Sequence, residues 1–328
     1  MRPRRGLLLV LLLASAPLGR AADPYAVGSL LATWHDDTRN RDVPVKIYYP
    51  EARGAPAPGK FPVVLFSHGL GGTREGYAYL GQAWAAHGYV SVHVQHLGSD
   101  DRAYKGTLQP LQKMRQAMRD PANRTNRPLD VEFALNTLTA LATDPGFALA
   151  GHLDLSEVGV AGHSFGAHTT MVLAGAAFGN GPPPVHDPRI KAAVAMSTPV
   201  VDRSPGFNSF AGVTIPVFHM TGTKDVVRVL QGPGAQASDR RIPFDHTDHA
   251  PAYLLTFEGG DHMVFSGRGV AAARPEDAAF QQRVVAGSLA FWDAYLKHDP
   301  DALRWLEGGG FAADLGSLGT FEQKHPAP

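Results

Sequence analysis

Ser164 is the residue whose setting points most directly at chemistry. It lies in Gly162-His163-Ser164-Phe165-Gly166, after the short apolar run Val158–Ala161 and before a small-residue run from Ala167 to Gly175. The pattern reads as a strand, a very tight turn and a helix. Such a turn lifts a serine hydroxyl above a sheet edge in a strained backbone conformation. Gly162 and Gly166 carry no side chains to collide with the strand and helix that meet there. The N-terminus of the following helix favours negative charge beside the serine. An idle serine in a glycine-rich turn would use the same residues, so its partners must decide. A hydroxyl is a weak nucleophile: it needs a base, a carboxylate to orient that base, and hydrogen-bond donors for an oxyanion.

Candidates for each part lie at the ends of apolar runs. Asp225 closes Thr221-Gly222-Thr223-Lys224-Asp225, a glycine-containing turn after the run from Pro216. His262 closes Gly259-Gly260-Asp261-His262, after the run from Ala252. His68-Gly69-Leu70-Gly71-Gly72 follows the apolar run Phe61–Ser67, and its glycines let backbone approach a ligand. The expected catalytic set is therefore Ser164 as nucleophile, His262 as base and Asp225 as orienting acid. The backbone N–H groups of Leu70 and Phe165 would form the oxyanion hole. His68 itself reads as structural. Asp202 lies six residues beyond its strand, and Asp261 is adjacent to His262, where neighbouring side chains point apart. Both rank below Asp225 as the acid.

Other residues carry weaker signals. Asp245-His246-Thr247-Asp248-His249 has two histidines three apart with flanking carboxylates, but no third strong ligand is placed. A polar loop bordering the pocket is the expectation there, and neither metal nor cofactor is assigned. Asn123-Arg124-Thr125 matches a glycosylation sequon and reads as an exposed loop. Trp34, Tyr104, Phe244 and Phe265 could be pocket walls or core.

The elements that must position these residues follow from periodicity. Strands are expected at Gly28–His35, Asp42–Tyr49, Phe61–Ser67, Tyr89–Gln95, the elbow strand, Ile190–Met196, Pro216–Thr221 and Ala252–Glu258. Helices are expected over Thr73–His87, with Thr73 as N-cap, and over Leu108–Met118, Asp130–Thr143, the elbow helix and Glu276–Lys297. Asp120–Pro128 reads as turn, and the tail after Pro300 as one short helix and coil. This alternation implies a mostly parallel, eight-stranded α/β sheet with helices on both faces, where ligands bind beyond the carboxyl ends of the strands. Leu97–Pro128 and Val226–Ala250 exceed ordinary loop lengths and are expected to shape the pocket.

The 328 residues balance 30 basic against 30 acidic side chains, so nothing favours nucleic acid or an anionic membrane as partner. Cysteine is absent, which excludes disulfides, a thiol nucleophile and a lipidated N-terminal cysteine. Arg2, Arg4 and Arg5 precede the apolar stretch Gly6–Ala14, which is too short to span a bilayer, and Gly19-Arg20-Ala21 fits a cleavage site. Residues 1–21 are thus expected to be a signal peptide with no membrane anchor, and 22–328 a single secreted or periplasmic domain.

At these residues the chain resembles the α/β-hydrolase superfamily, over roughly Gly28 to Lys297. Phe66-Ser67-His68-Gly69-Leu70-Gly71-Gly72 and Gly162–Gly166 are similar to the platelet-activating-factor acetylhydrolases and to bacterial dienelactone-hydrolase-like and polyester-hydrolase-like esterases. The resemblance implies a serine esterase acting on a small-molecule or polymeric ester. In the acetylhydrolases the acid follows the strand after the elbow helix. Here that strand ends Ala195-Met196-Ser197-Thr198, without a carboxylate, so the acid is expected one strand later, at Asp225. A peptidase or amidase on the same triad, and a binding protein on an inactive hydrolase fold, are the alternatives.

Overall fold

The computed structural model describes residues 24–178, 186–200, 209–228, 234–267 and 274–326. The expected signal peptide, Asp202 and the low-complexity patch 179–184 lie outside the described residues. Among the described residues, ten strands form one sheet: β1 (Ala26–Asp36), β2 (Arg41–Ala52), β3 (Ala55–Pro56), β4 (Phe61–Ser67), β5 (Val90–Val94), β6 (Leu153–His163), β7 (Ile190–Met196), β8 (Val217–Lys224), β9 (Ala252–Asp261) and β10 (Gly319–Lys324). Their order is β1-β2-β5-β4-β6-β7-β8-β9-β10, with β3 paired to β2 off this path. From β5 through β9 every pairing is parallel, and β1, β2 and β10 add antiparallel edges.

Side-chain alternation on the central strands builds two cores. Val63 and Leu65 of β4 face one way, with Val90, Val92, Val158 and Val160, while Val64 and Phe66 face the other, with Ala161 and Val194. Both faces are buried, which is why β4 is apolar along its length except at its terminal serine. On the first face lie α3 (Pro121–Leu141), through Val131, Leu135 and Leu138, and α4 (Phe165–Leu173), through Ala167 and Met171. On the second lie α1 (Ala78–Ala86), through Leu80 and Trp84, and α6 (Asp277–Leu296), through Phe280, Val284 and Trp292. Trp84 and Trp292 meet edge-to-face at 5.9 Å, and the Trp84 indole N–H donates to Ser288. The remaining helices among the described residues are α2 (Pro110–Arg119), α5 (Ile242–Asp245), α7 (Pro300–Glu307) and α8 (Gly310–Leu315).

Several expectations are corrected. The eight expected strands are present, but β3 and β10 are added. β10 runs antiparallel along β9 and seats Phe321 against Phe218, Tyr253 and Phe311, so the tail is not coil. Asp120–Pro128 is not a turn: α3 begins at Pro121, where the Asp120 carboxylate accepts from the Ala122 N–H at 2.9 Å. Pro128 lies inside that helix, a placement that costs about 3 kcal/mol in an exposed helix. Buried polar contacts of Arg127 and Asp130 hold the helix through it. The sequon is consequently helical. Asn123 is buried and donates to the carbonyls of Gly98 and Ala117. Thr73 does not cap α1: the helix starts after Tyr77, whose φ of 59° is left-handed. The Tyr77 hydroxyl is held by the Gly69 N–H and His163, and this tertiary contact overrides the local start signal.

Candidate active site

The elbow is built as its glycines require. Ser164 sits between β6 and α4 with φ 55° and ψ −117°, and its N–H donates to the Met196 carbonyl of β7 at 2.9 Å. A non-glycine residue in that region costs about 1–3 kcal/mol, which the surrounding contacts must offset. A Cβ on Gly162 would sit 2.4 Å from the Gly166 carbonyl, and one on Gly166 would sit 1.8 Å from the Ser67 carbonyl oxygen. Strand β6, helix α4 and strand β4 can meet this closely only without those side chains. The half-buried Ser164 thus stands at the N-terminus of α4, whose first N–H groups have no intrahelical acceptors.

Three strand ends converge on this hydroxyl. Asp225 follows β8, and its N–H turns back onto the Gly222 carbonyl at 3.0 Å. His262 follows β9. The Ser164 hydroxyl lies 3.0 Å from His262 Nε2, and His262 Nδ1 lies 2.8 Å from Asp225 Oδ1. With Nδ1–H donating to the carboxylate, Nε2 is left as an acceptor for the serine proton. The structure therefore brings together the three side chains singled out in the sequence. Asp261 faces elsewhere: its carboxylate accepts from the Met263 N–H and pairs with Arg274.

Asp225 is fully buried and heavily partnered. Its Oδ2 accepts from the hydroxyls of Ser197 and Thr221, and Arg240 approaches Oδ1 at 3.4 Å. Burial alone pushes this carboxyl up, but the His262 hydrogen bond, the Arg240 charge and the Ser197 hydroxyl outweigh it and hold the group far below the usual carboxylate range. It is thus an anion throughout the working range of an imidazole base. Sequence reasoning missed two of these partners. Ser197 follows β7 in the left-handed region at φ 60°, and its hydroxyl lies 2.9 Å from His262 Nδ1. Arg240, inside the expected pocket-shaping stretch 226–250, donates to the Ser197 carbonyl at 3.0 Å. Ser197 was visible as the residue after its strand, and a hydroxyl there carries no charge to mark it. Arg240 stands next to Arg241 with no distinguishing local pattern.

The segment bearing Leu70 is fixed by its flanks. The buried His68 ring donates through Nδ1 to the Gly69 carbonyl and accepts at Nε2 from the His96 N–H, which settles its neutral tautomer and its structural role. Gly71 N–H donates to the Ser99 carbonyl at 2.8 Å, and the Tyr104 hydroxyl donates to the Gly71 carbonyl at 3.1 Å. Leu70 itself is half-buried. Of the aromatic residues left open by sequence, Tyr104 thus belongs to the site's frame. Phe265 is core, packed on His163 and Phe257, and Phe244 is buried beside Leu254. Trp34 packs half-buried on the first core. His246 and His249 are exposed, and among the described residues no group of three metal-ligating side chains is gathered.

A second serine–histidine–aspartate array starts at Ser67, the last residue of β4. The Ser67 hydroxyl is 2.9 Å from His96 Nε2, and His96 Nδ1 is 3.1 Å from Asp130 Oδ2. All three side chains are closed to solvent. Burial drives the His96 imidazole down to about 4, with Arg127 adding to that effect and Asp130 opposing it. Its geometry resembles that of the first array, but access for a substrate separates them: Ser164 and His262 are both partly exposed.

Comparison with known proteins reaches only part of this frame. The family model for platelet-activating factor acetylhydrolase, isoform II, matches residues 45–121, from β2 through the Leu70 segment to the end of α2. Among curated proteins, the platelet-activating factor acetylhydrolase of Cavia porcellus is 29% identical over 137 residues, 34% of this chain and 31% of the relative. That of Bos taurus is 25% identical over 139 residues, with the same coverage. The aligned part of this chain thus spans about a third of the length of the curated relatives it matches. With this sheet order, the strained Ser164 turn and the match over residues 45–121, the chain is an α/β-hydrolase-fold protein that resembles the platelet-activating factor acetylhydrolases.

Proposed function

We propose that this chain is an exported serine hydrolase that cleaves carboxylic esters through an acyl-enzyme intermediate. The observation that carries the reading is the Ser164–His262–Asp225 array, bonded at 3.0 and 2.8 Å, at the carboxyl ends of the parallel strands β6, β8 and β9, with Ser164 and His262 partly exposed. Ser164 Oγ attacks the ester carbonyl carbon while His262 Nε2 takes the hydroxyl proton. The tetrahedral oxyanion forms facing the N–H groups of Leu70 and Phe165. As the bond to the alcohol oxygen breaks, His262 returns the proton to the leaving alcohol. Water then attacks the acyl-serine, with His262 again taking and returning a proton, and the carboxylic acid leaves. Asp225 keeps the imidazole in the Nδ1–H tautomer throughout. The basic start followed by Gly6–Ala14 supports export, and the likeness to the acetylhydrolases supports an ester as substrate, small or polymeric.

Matched p-nitrophenyl esters and anilides, run from acetate to decanoate, test this reading. Turnover of the esters with a pre-steady-state burst, and slow or no turnover of the anilides, is the expected result. Faster anilide cleavage would make the chain an amidase. No ester turnover above background by folded protein would end the hydrolase reading.

A further inference from the structure

We infer that Arg127 is the positioning residue of the oxyanion hole, a single buried guanidinium that sets the spacing between its two halves. The inference rests on the reading of Leu70 and Phe165 as oxyanion donors. Arg127 is 1% exposed, yet among the described residues each of its hydrogen-bond acceptors is neutral. Nη2 donates to the His68 carbonyl and, at 3.1 Å, to the Ser67 hydroxyl. Nη1 donates to the Ser99 hydroxyl at 2.8 Å, and Nε donates to the Thr169 hydroxyl at 3.1 Å. The guanidinium carbon lies over the Phe165 ring, 4.6 Å from its centroid.

These contacts reach both halves of the hole. On one side, the guanidinium holds the His68 carbonyl, two residues before Leu70, and the hydroxyl of Ser99. Ser99 in turn receives the Gly71 N–H on its carbonyl, one residue after Leu70. Leu70 is therefore tethered before and after to the same group. On the other side, Thr169 uses its one proton to donate to the Phe165 carbonyl at 3.1 Å while its oxygen accepts from Arg127, so the first turn of α4 is fixed by ring and carbonyl together. Every hydroxyl proton in the cluster has a single direction. Ser67 donates to His96 Nε2, Ser99 to the His96 carbonyl and Thr169 to the Phe165 carbonyl, which leaves each oxygen free to accept from Arg127.

The charge adds to the geometry. The carboxylate acting most strongly on Arg127 is Asp130, reached through Ser67 and His96, with Asp100 acting more weakly, and Asp130 is already paired with Arg39 and Arg41 at 2.8 Å each. A buried cation is thus packed against Phe165 and bonded to the segment that carries Leu70, in a medium that screens it poorly. Burial pushes the guanidinium down to about 9, with the Asp130 charge opposing that effect, so it keeps its proton at neutral pH. Bidentate reach to two segments requires the planar fork, which lysine lacks.

The test compares wild type with Arg127→Lys, per active site counted by exhaustive fluorophosphonate labelling. The expected result for Arg127→Lys is a loss in kcat on the order of 10–100-fold with KM within about threefold, as for a misplaced oxyanion donor. Inhibition by an alkyl trifluoromethyl ketone, whose adduct places an oxyanion in the hole, should weaken by the same factor as kcat/KM. A role confined to stability would lower the number of active sites and leave kcat per site and the ketone affinity at wild-type values, and that outcome overturns the inference. If Arg127→Lys yields no folded protein, the Ser99→Ala/Thr169→Val double variant decides. It removes one acceptor on each side of the hole and should lose at least tenfold in kcat and in ketone affinity together, while unchanged values for both overturn the inference. Ester turnover absent from wild type itself would count against the proposed function instead.

Discussion

Replacing Asp225 by Asn changes one atom of the array and should remove nearly all of its chemistry. In wild type, Oδ1 receives the His262 Nδ1 proton at 2.8 Å, and Oδ2 is occupied by the Ser197 and Thr221 hydroxyls. Both hydroxyls are donors to the acid, so the amide NH2 that the substitution introduces is best accommodated facing the imidazole. His262 must then accept at Nδ1 and carry its proton on Nε2, pointed at Ser164 Oγ, where it cannot take the serine proton. A wrong tautomer of this kind costs on the order of 10⁴-fold in kcat, or about 5 kcal/mol of barrier. Folding is affected too. Arg240, buried and 3.4 Å from Oδ1, loses its carboxylate partner, and an unpaired buried charge costs about 3–5 kcal/mol. The assay is kcat for p-nitrophenyl acetate per folded molecule at pH 8, alongside urea denaturation. The Ser197 hydroxyl already sits 2.9 Å from His262 Nδ1, so a carboxylate introduced there can orient the same ring. Asp225→Asn combined with Ser197→Asp should recover at least tenfold of the lost kcat. Retention by Asp225→Asn alone of more than a tenth of wild-type kcat would refute the tautomer reasoning.

Three further outcomes are expected. Gly166→Ala would place a Cβ 1.8 Å from the Ser67 carbonyl oxygen, with backbone on both sides, so it should cost at least about 3 kcal/mol and abolish turnover. Denaturant unfolding checks the first, and a stability within about 1 kcal/mol of wild type contradicts it. His93, His168 and His219 are driven down to about 3 and His96 to about 4, in each case mainly by burial, against 6.5 for the ordinary imidazole. These are bases with depressed folded-state values, so their stability contribution is intact above 6.5. It is lost as pH falls toward 4, because the unfolded chain binds protons that the folded chain does not. His68 and His163 are pushed down by burial as well, so Tm should fall steeply between pH 6 and 5, and a flat Tm over that interval would oppose the assignment. Phe321→Ala on β10 removes a half-buried ring from an aromatic cluster away from the site. Tm should drop, by about 2 kcal/mol of stability, with kcat unchanged; a matching loss of kcat per folded molecule would tie β10 to the site.

The residues legible in the sequence were those that backbone physics constrains. The elbow needs glycine at 162 and 166 because strand, helix and β4 touch there, and no other residue type fits. The central strands showed themselves as apolar runs because both faces of the sheet are covered. Asp225 and His262 were found because turns after buried strands leave few positions facing the site. What local pattern could not show is held by contacts distant in sequence. Tyr77 starts α1 only because its hydroxyl reaches Gly69 and His163, and α3 runs through Pro128 while Arg127 and Asp130 make contacts far from the helix in sequence. Ser197, Arg240 and Arg127 are common residue types whose roles come from where the fold delivers them. The buried Ser67–His96–Asp130 array makes the converse point: side chains in a suggestive geometry carry no reaction when no substrate can reach them.

The measurement that bears most directly on the central claim is covalent labelling with a fluorophosphonate, followed by peptide mapping and by titration of esterase activity against label incorporated. One equivalent of label on Ser164, with turnover falling in step to zero, and no labelling in Ser164→Ala, is the predicted result. A label resident on another serine, or ester turnover that persists when Ser164 is fully modified, would contradict the account.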